Sequence, residues 1–151
     1  MWLTALACGE VLALPVRESL AMFESGATHI ARCQSDKMRG RSGEVSRYQI
    51  MPDVWRQYTK SREFDNPEVA WHVAQRILQD RTDWFRSMTG REPDALELYL
   101  LWNKPGHFKA AEFDTDRVQT HFKRRAQRFA NLCALSPSQS PGLMPGQLGL
   151  N

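Results

Sequence analysis

The chemistry this chain can offer starts from two carboxylates and an amide. Glu24 closes the apolar run Leu20-Ala21-Met22-Phe23 and precedes Ser25-Gly26, while Glu44 and Gln49 stand in the stretch Gly43-Glu44-Val45-Ser46-Arg47-Tyr48-Gln49-Ile50-Met51-Pro52. Val16, Leu20 and Phe23 share one helical face, and Glu24 falls one turn beyond Leu20, so its carboxyl emerges at the edge of an apolar surface. Such a wall disfavours the anion and raises the pKa, which lets a carboxylic acid hand a proton to a leaving oxygen near neutral pH. Glu44 lies among Arg39, Arg41 and Arg47. It reads either as a solvated ion-pair partner or as a second carboxylate that orients or deprotonates a water.

The elements that must position these groups are mostly helical. Residues 26–43, with Gly26, Gly40 and Gly43, read as a loop leading into a short strand at Val45–Ile50, and Pro52 opens a short helix through Tyr58. Asn66-Pro67 is an N-cap followed by a first-turn proline, and Ala70, Val73, Ala74, Ile77, Trp84, Phe85 and Met88 keep helical spacing until Gly90. Asp94 to Asn103 is apolar on nearly every side, which predicts a central buried helix stopped by Pro105-Gly106. A last helix is expected after Asp114-Thr115, with Val118, Phe122, Ala126, Phe129 and Cys133 inward and Lys123, Arg124, Arg125 and Arg128 mostly outward.

Composition narrows the classes. With 151 residues, 42% hydrophobic and 25% charged, the chain suits one domain with a real core. A net charge of +3 is too weak to argue for nucleic acid, and the arginines form no readout motif. Cys8, Cys33 and Cys133 make an odd set without a CxxC pair, and the four histidines lack metal-ligand spacing, so no metal is expected. Buried thiols are the preferred reading, with a Cys33 to Cys133 bridge the alternative in an exported protein. Residues 1–15 read as the remnant of an export signal or as a first helix, and 136–151, with three prolines, three glycines and no charge, as a disordered tail. No stretch reaches the length of a membrane span.

The order of these motifs resembles the soluble lytic transglycosylases and goose-type lysozymes of the lysozyme superfamily. Their pattern runs Glu-Ser-Gly, a loop, Gly-Leu-Met-Gln-Ile-Met-Pro, then Tyr-Asn-Ala-Gly. Here Glu24-Ser25-Gly26 and Gln49-Ile50-Met51-Pro52 are intact, Arg47-Tyr48 replaces Leu-Met, and the intervening loop is longer. A second register would set Gln34-Ser35 where Glu-Ser belongs and leave no acid; Glu24 is preferred for its apolar lead-in and its glycine. Ala95-Leu96-Glu97-Leu98-Tyr99-Leu100-Leu101-Trp102-Asn103-Lys104-Pro105-Gly106 is similar to Ala-Leu-x-x-Tyr-Asn-Ala-Gly-Pro-Gly with two extra residues. Aligned from the left, Tyr99 is the tyrosine that bonds the catalytic glutamate; aligned from the right, Trp102-Asn103 is the Tyr-Asn pair.

Spanning roughly Val16 to Leu132, the resemblance implies a mainly α, lysozyme-like α+β domain over residues 16–135, a helical bundle around a central buried helix with a small β-hairpin. It implies cleavage of the β-1,4 bond between N-acetylmuramic acid and N-acetylglucosamine in peptidoglycan strands, without cofactor. Glu24 is then the acid, Glu44 a candidate second carboxylate, and Ser25, Tyr48, Gln49, Tyr99, Trp102 and Asn103 the substrate-binding set. A monomer of the cell envelope, periplasmic or extracellular, follows, with phage or cytoplasmic origin as alternatives. A non-catalytic glycan-binding or scaffold domain is the competing class, and the discriminator is whether Glu24 and Gln49 face one groove.

Overall fold

Local chemistry explains most helix boundaries. The computed structural model describes residues 10–29 and 31–134, residues 10–15 by backbone alone; the expected signal remnant before Glu10 and the expected tail lie outside the described residues. Among the described residues six helices follow in order: α1 (Glu10–Ser25), α2 (Pro52–Tyr58), α3 (Pro67–Thr89), α4 (Ala95–Asn103), α5 (Pro105–Ala110) and α6 (Thr120–Ala134), with a 3-10 turn at Gln34–Lys37. Asn66 caps α3 by accepting from the N–H groups of Glu68 and Val69, and Gly90 ends it in the left-handed region at φ 74°. Asp94 and Glu97 close α4 with a reciprocal capping box. Glu97 also takes both guanidinium arms of Arg91, which compensates a carboxylate that is 4% exposed.

α4 is the buried axis. It packs on α6, α3 and α5, while α1 packs on α6. Its own Tyr99, Leu100, Leu101 and Trp102 join Phe85, Phe108, Ala126 and Phe129 in the core. The architecture is mainly helical, as its periodicities imply.

Three expectations need correction. Among the described residues there is no strand: Val45 and Ile50 form a lone antiparallel bridge, exchanging N–H···O bonds of 2.8 and 2.9 Å. The intervening run cannot extend because Ser46 and Gln49 adopt φ 64° and 50°, left-handed values that curl the backbone into a turn. α1 starts at Glu10 and carries Pro15 inside it, rather than beginning after it. α6 starts at Thr120, since Glu112 and Phe113 take positive φ and Asp114 Oδ1 accepts from Asp116 N, occupying the segment with turns. Cys33 and Cys133 are not joined to each other. Among the described residues, no helix is long and apolar enough to cross a membrane.

The long loop after α1 is pinned by charge. Arg47 Nε and Nη2 bind the two Asp36 carboxylate oxygens at 2.5 and 2.8 Å, and the same guanidinium donates to the carbonyls of His29 and Ala31. Both side chains are almost wholly buried, at 3% and 0% exposure. A charge so buried persists only when fully partnered, and this pair holds His29, Ala31 and Asp36 against the 45–50 turn. Arg47 is therefore no companion of Glu44, contrary to what their proximity in sequence suggests.

Candidate active site

α1 delivers Glu24. Gly26, at φ 72°, stops the helix and bonds its N–H to Met22 O at 2.8 Å, a left-handed cap that costs glycine nothing. Phe23 fixes the same turn through edge-on contacts with Tyr99 and Phe129, ring centroids 5.0 and 5.8 Å away. The next side chain turns in beside α4 and α6, and only 7% of it is exposed. There Tyr99 Oη donates to Glu24 Oε1 at 2.6 Å and Arg125 Nη2 to Oε2 at 3.3 Å. Arg125 Nε donates in turn to Tyr99 Oη at 2.7 Å, closing a three-membered cluster from three helices.

The surroundings of Glu24 disfavour its anion. Burial is the largest influence on Glu24 and raises its pKa; the bonds from Tyr99 and Arg125 oppose this without reversing it, and the charge of Glu44 adds to the rise. Tyr99 is also pushed up, by burial and then by the Glu24 charge, so its hydroxyl stays a donor. Burial works against the Arg125 charge, but Tyr99 and Glu24 outweigh it and hold the guanidinium protonated.

Beside Glu24 opens a groove of about 550 Å³. The loop after α1 contributes Gly40, Arg41, Ser42, Glu44, Gln49, Ile50 and Met51, and α2 contributes Val54. Ile77 and Arg81 of α3, Trp102 to Pro105 at the α4–α5 junction and Arg125 of α6 complete the lining. Close approach defines one spot: a Cβ on Gly40 would overlap the Glu44 carboxylate and come within 2.6 Å of Gln49 Oε1. Only a glycine lets both side chains lie there. Glu44 Oε2 accepts from Ser42 N at 2.9 Å, and Gln49 Nε2 donates to Ser46 O at 2.9 Å, so each is tied to its own turn.

The residues expected from sequence separate into two groups. Glu24, Glu44, Gln49, Trp102 and Asn103 line the groove together, and Tyr99, 1% exposed, stands behind Glu24 as its hydrogen-bond donor. The two alignments of the third motif are thus compatible, because one helical turn brings Tyr99 to the acid and Trp102-Asn103 to the groove. Two expected substrate contacts are not in it. Tyr48 is 1% exposed, tilts against Trp71 at a centroid distance of 5.8 Å and, through burial, has a pKa of about 12. Ser25 Oγ bonds back to Ala21 O at 3.0 Å and does not line the groove.

Arg81 and Arg125 belong to the site although no sequence motif marks them. Arg81 donates to the carbonyls of Leu101 and Trp102, occupying acceptors that the end of α4 leaves open, and its guanidinium lies 5.8 Å from the Trp102 ring. Arg125 sits three residues after Phe122 and four before Phe129, which is the inward spacing of α6, so its turn toward the core had a visible signal. Compared with known proteins, the chain matches no family model, no curated protein and no solved structure.

Proposed function

We propose that this groove cleaves the β-1,4 bond between N-acetylmuramic acid and N-acetylglucosamine in peptidoglycan strands, in a lysozyme-like domain working as a lytic transglycosylase. The observation that carries the reading is Glu24: a nearly buried carboxylic acid with a raised pKa, aimed by Tyr99 into a groove that Gln49 also lines. That shared groove favours an enzyme over the non-catalytic glycan-binding alternative. In the proposed reaction Glu24 protonates the bridging oxygen as the C1–O bond breaks, and the muramyl ring takes on oxocarbenium character. The carboxylate left behind is stabilised by the hydroxyl of Tyr99 and the charge of Arg125. It then accepts the proton of the muramyl 6-hydroxyl as that oxygen closes on C1, giving a 1,6-anhydro sugar and returning Glu24 to its acid form.

A second reading, hydrolysis with Glu44 activating a water, is favoured by the fact that Glu44 lines the same groove and that its charge reaches Glu24. Incubation with purified peptidoglycan and mass analysis of the products tests both. Glu24→Gln should lower cleavage by on the order of 10²–10⁴-fold while the fold persists, because the amide keeps the shape and cannot donate the proton. Wild-type turnover in that variant would overturn the assignment.

A further inference from the structure

Arg125 is the most open member of the cluster around Glu24. Glu24 is 7% exposed and Tyr99 1%, whereas the Arg125 side chain is 40% exposed and lines the groove. Its plane is anchored: the guanidinium carbon lies 5.0 Å from the Phe23 ring centroid and 5.8 Å from that of Tyr99, and Nε is fixed on Tyr99 Oη. Its hold on Glu24 is weak by comparison, 3.3 Å against the 2.6 Å of the Tyr99 bond. A guanidinium has five N–H donors, and among the described residues Arg125 uses only Nε and one Nη2 hydrogen on protein acceptors. The remaining donors form a fork suited to a carboxylate.

The other groove cations are placed differently. Arg81 spends its guanidinium on the carbonyls of Leu101 and Trp102, Lys104 lies 5.4 Å from the Phe122 ring, and Arg41 is exposed on the loop. Against these four cations the groove sets two carboxylates, Glu24 and Glu44, which leaves it positive toward a ligand. The ionisable groups around the Glu24–Arg125 contact are Tyr99 of α4, which bonds both, and Glu44 of the loop, whose charge reaches Glu24; Arg41, Arg81 and Lys104 line the same groove.

We propose that Arg125 is a receptor for a carboxylate carried by the sugar next to the scissile bond, its Nη donors pairing with that carboxylate at the expense of the long bond to Glu24 while Nε stays on Tyr99. The proposal rests on the reading of Glu24 as the acid and makes Arg125 a positioning and specificity residue. The lactyl carboxylate of a muramyl sugar without a stem peptide is the chemistry that fits, since a peptide occupies that carboxyl as a neutral amide; a neutral chitin-type saccharide lacks it. An anionic substrate thereby arms the acid that cleaves it, while in the empty groove Arg125 opposes protonation.

The test follows the Glu24 side-chain carboxyl by NMR in protein labelled at glutamate, assigned with Glu24→Gln. Its titration midpoint is measured free, with N-acetylglucosaminyl-N-acetylmuramic acid, which has no bond of the cleaved type, and with neutral diacetylchitobiose. The midpoint should rise with the muramyl sugar and move less with chitobiose. Arg125→Gln should bind the muramyl sugar about tenfold more weakly, show an elevated midpoint already when free, and respond alike to both sugars. Arg125→Lys should recover part of the difference. Equal shifts by the two sugars in the wild type, or a free midpoint unchanged in Arg125→Gln, would overturn the proposal. Turnover of peptidoglycan by the wild type decides the enzymatic reading separately: a protein that separates the two sugars yet cleaves nothing keeps the carboxylate receptor and loses the glycosidase.

Discussion

At the residue scale the chemistry turns on how little water Glu24 meets. Its folded-state pKa lies above the ordinary carboxylate value of 4.5, because burial outweighs Tyr99 and Arg125. A group raised in this way stabilises the fold fully below its unfolded pKa, and that stability is lost as pH rises through the folded pKa. The ionised form is therefore the strained one. Glu24→Gln removes the ionisation, so its melting temperature relative to wild type should be higher at pH 7 than at pH 4. A difference that stays flat across that range would mean that the environment does not disfavour the charge. The same substitution thus separates the two properties of the residue, losing activity where it gains relative stability.

At the scale of elements, the loop from Gly26 to Met51 does the positioning, and its parts should fail in distinguishable ways. Asp36→Asn leaves the Arg47 charge buried against a neutral partner and should cost about 3–5 kcal/mol in denaturant unfolding. Ile50→Ala, in the core at 3% exposure, should cost roughly 2–5 kcal/mol, whereas Gln49→Ala should weaken activity with little loss of stability. Melts in which Gln49→Ala costs more than Ile50→Ala would contradict the placement of both residues in the turn. Gly40→Ala drives a methyl into Glu44 and Gln49, so activity should fall by about 10²-fold if those side chains position the substrate. What was legible in the sequence follows the same division. Asn66, Pro67 and Gly90 are signals read within one turn of chain, and the helix they bound appears where expected. The expected strand failed on Ser46 and Gln49, whose left-handed φ no pattern of alternating side chains reveals. The partners of Arg47 and Arg125, Asp36 and Glu24, lie 11 and 101 residues away, beyond the reach of local spacing.

At the scale of the whole molecule, α1 brings one carboxylate to the groove and the loop brings the other, and the product chemistry depends on whether both act. Glu44 is engaged elsewhere: its Oε2 accepts from Ser42 N and its carboxylate rests over Gly40, which suits a side chain that shapes the turn. Glu24 has the burial, the donor and the raised pKa of an acid that must later act as base. A single working carboxylate leaves the substrate's own hydroxyl as the nucleophile, so products should carry 1,6-anhydromuramic ends. Glu44→Gln should then retain most activity, with one specific change. Since the Glu44 charge raises the Glu24 pKa, removing it lowers that pKa, and the alkaline limb of the pH–rate profile should move to lower pH. Reducing-end products together with an inactive Glu44→Gln would reverse the assignment and make Glu44 the group that activates water.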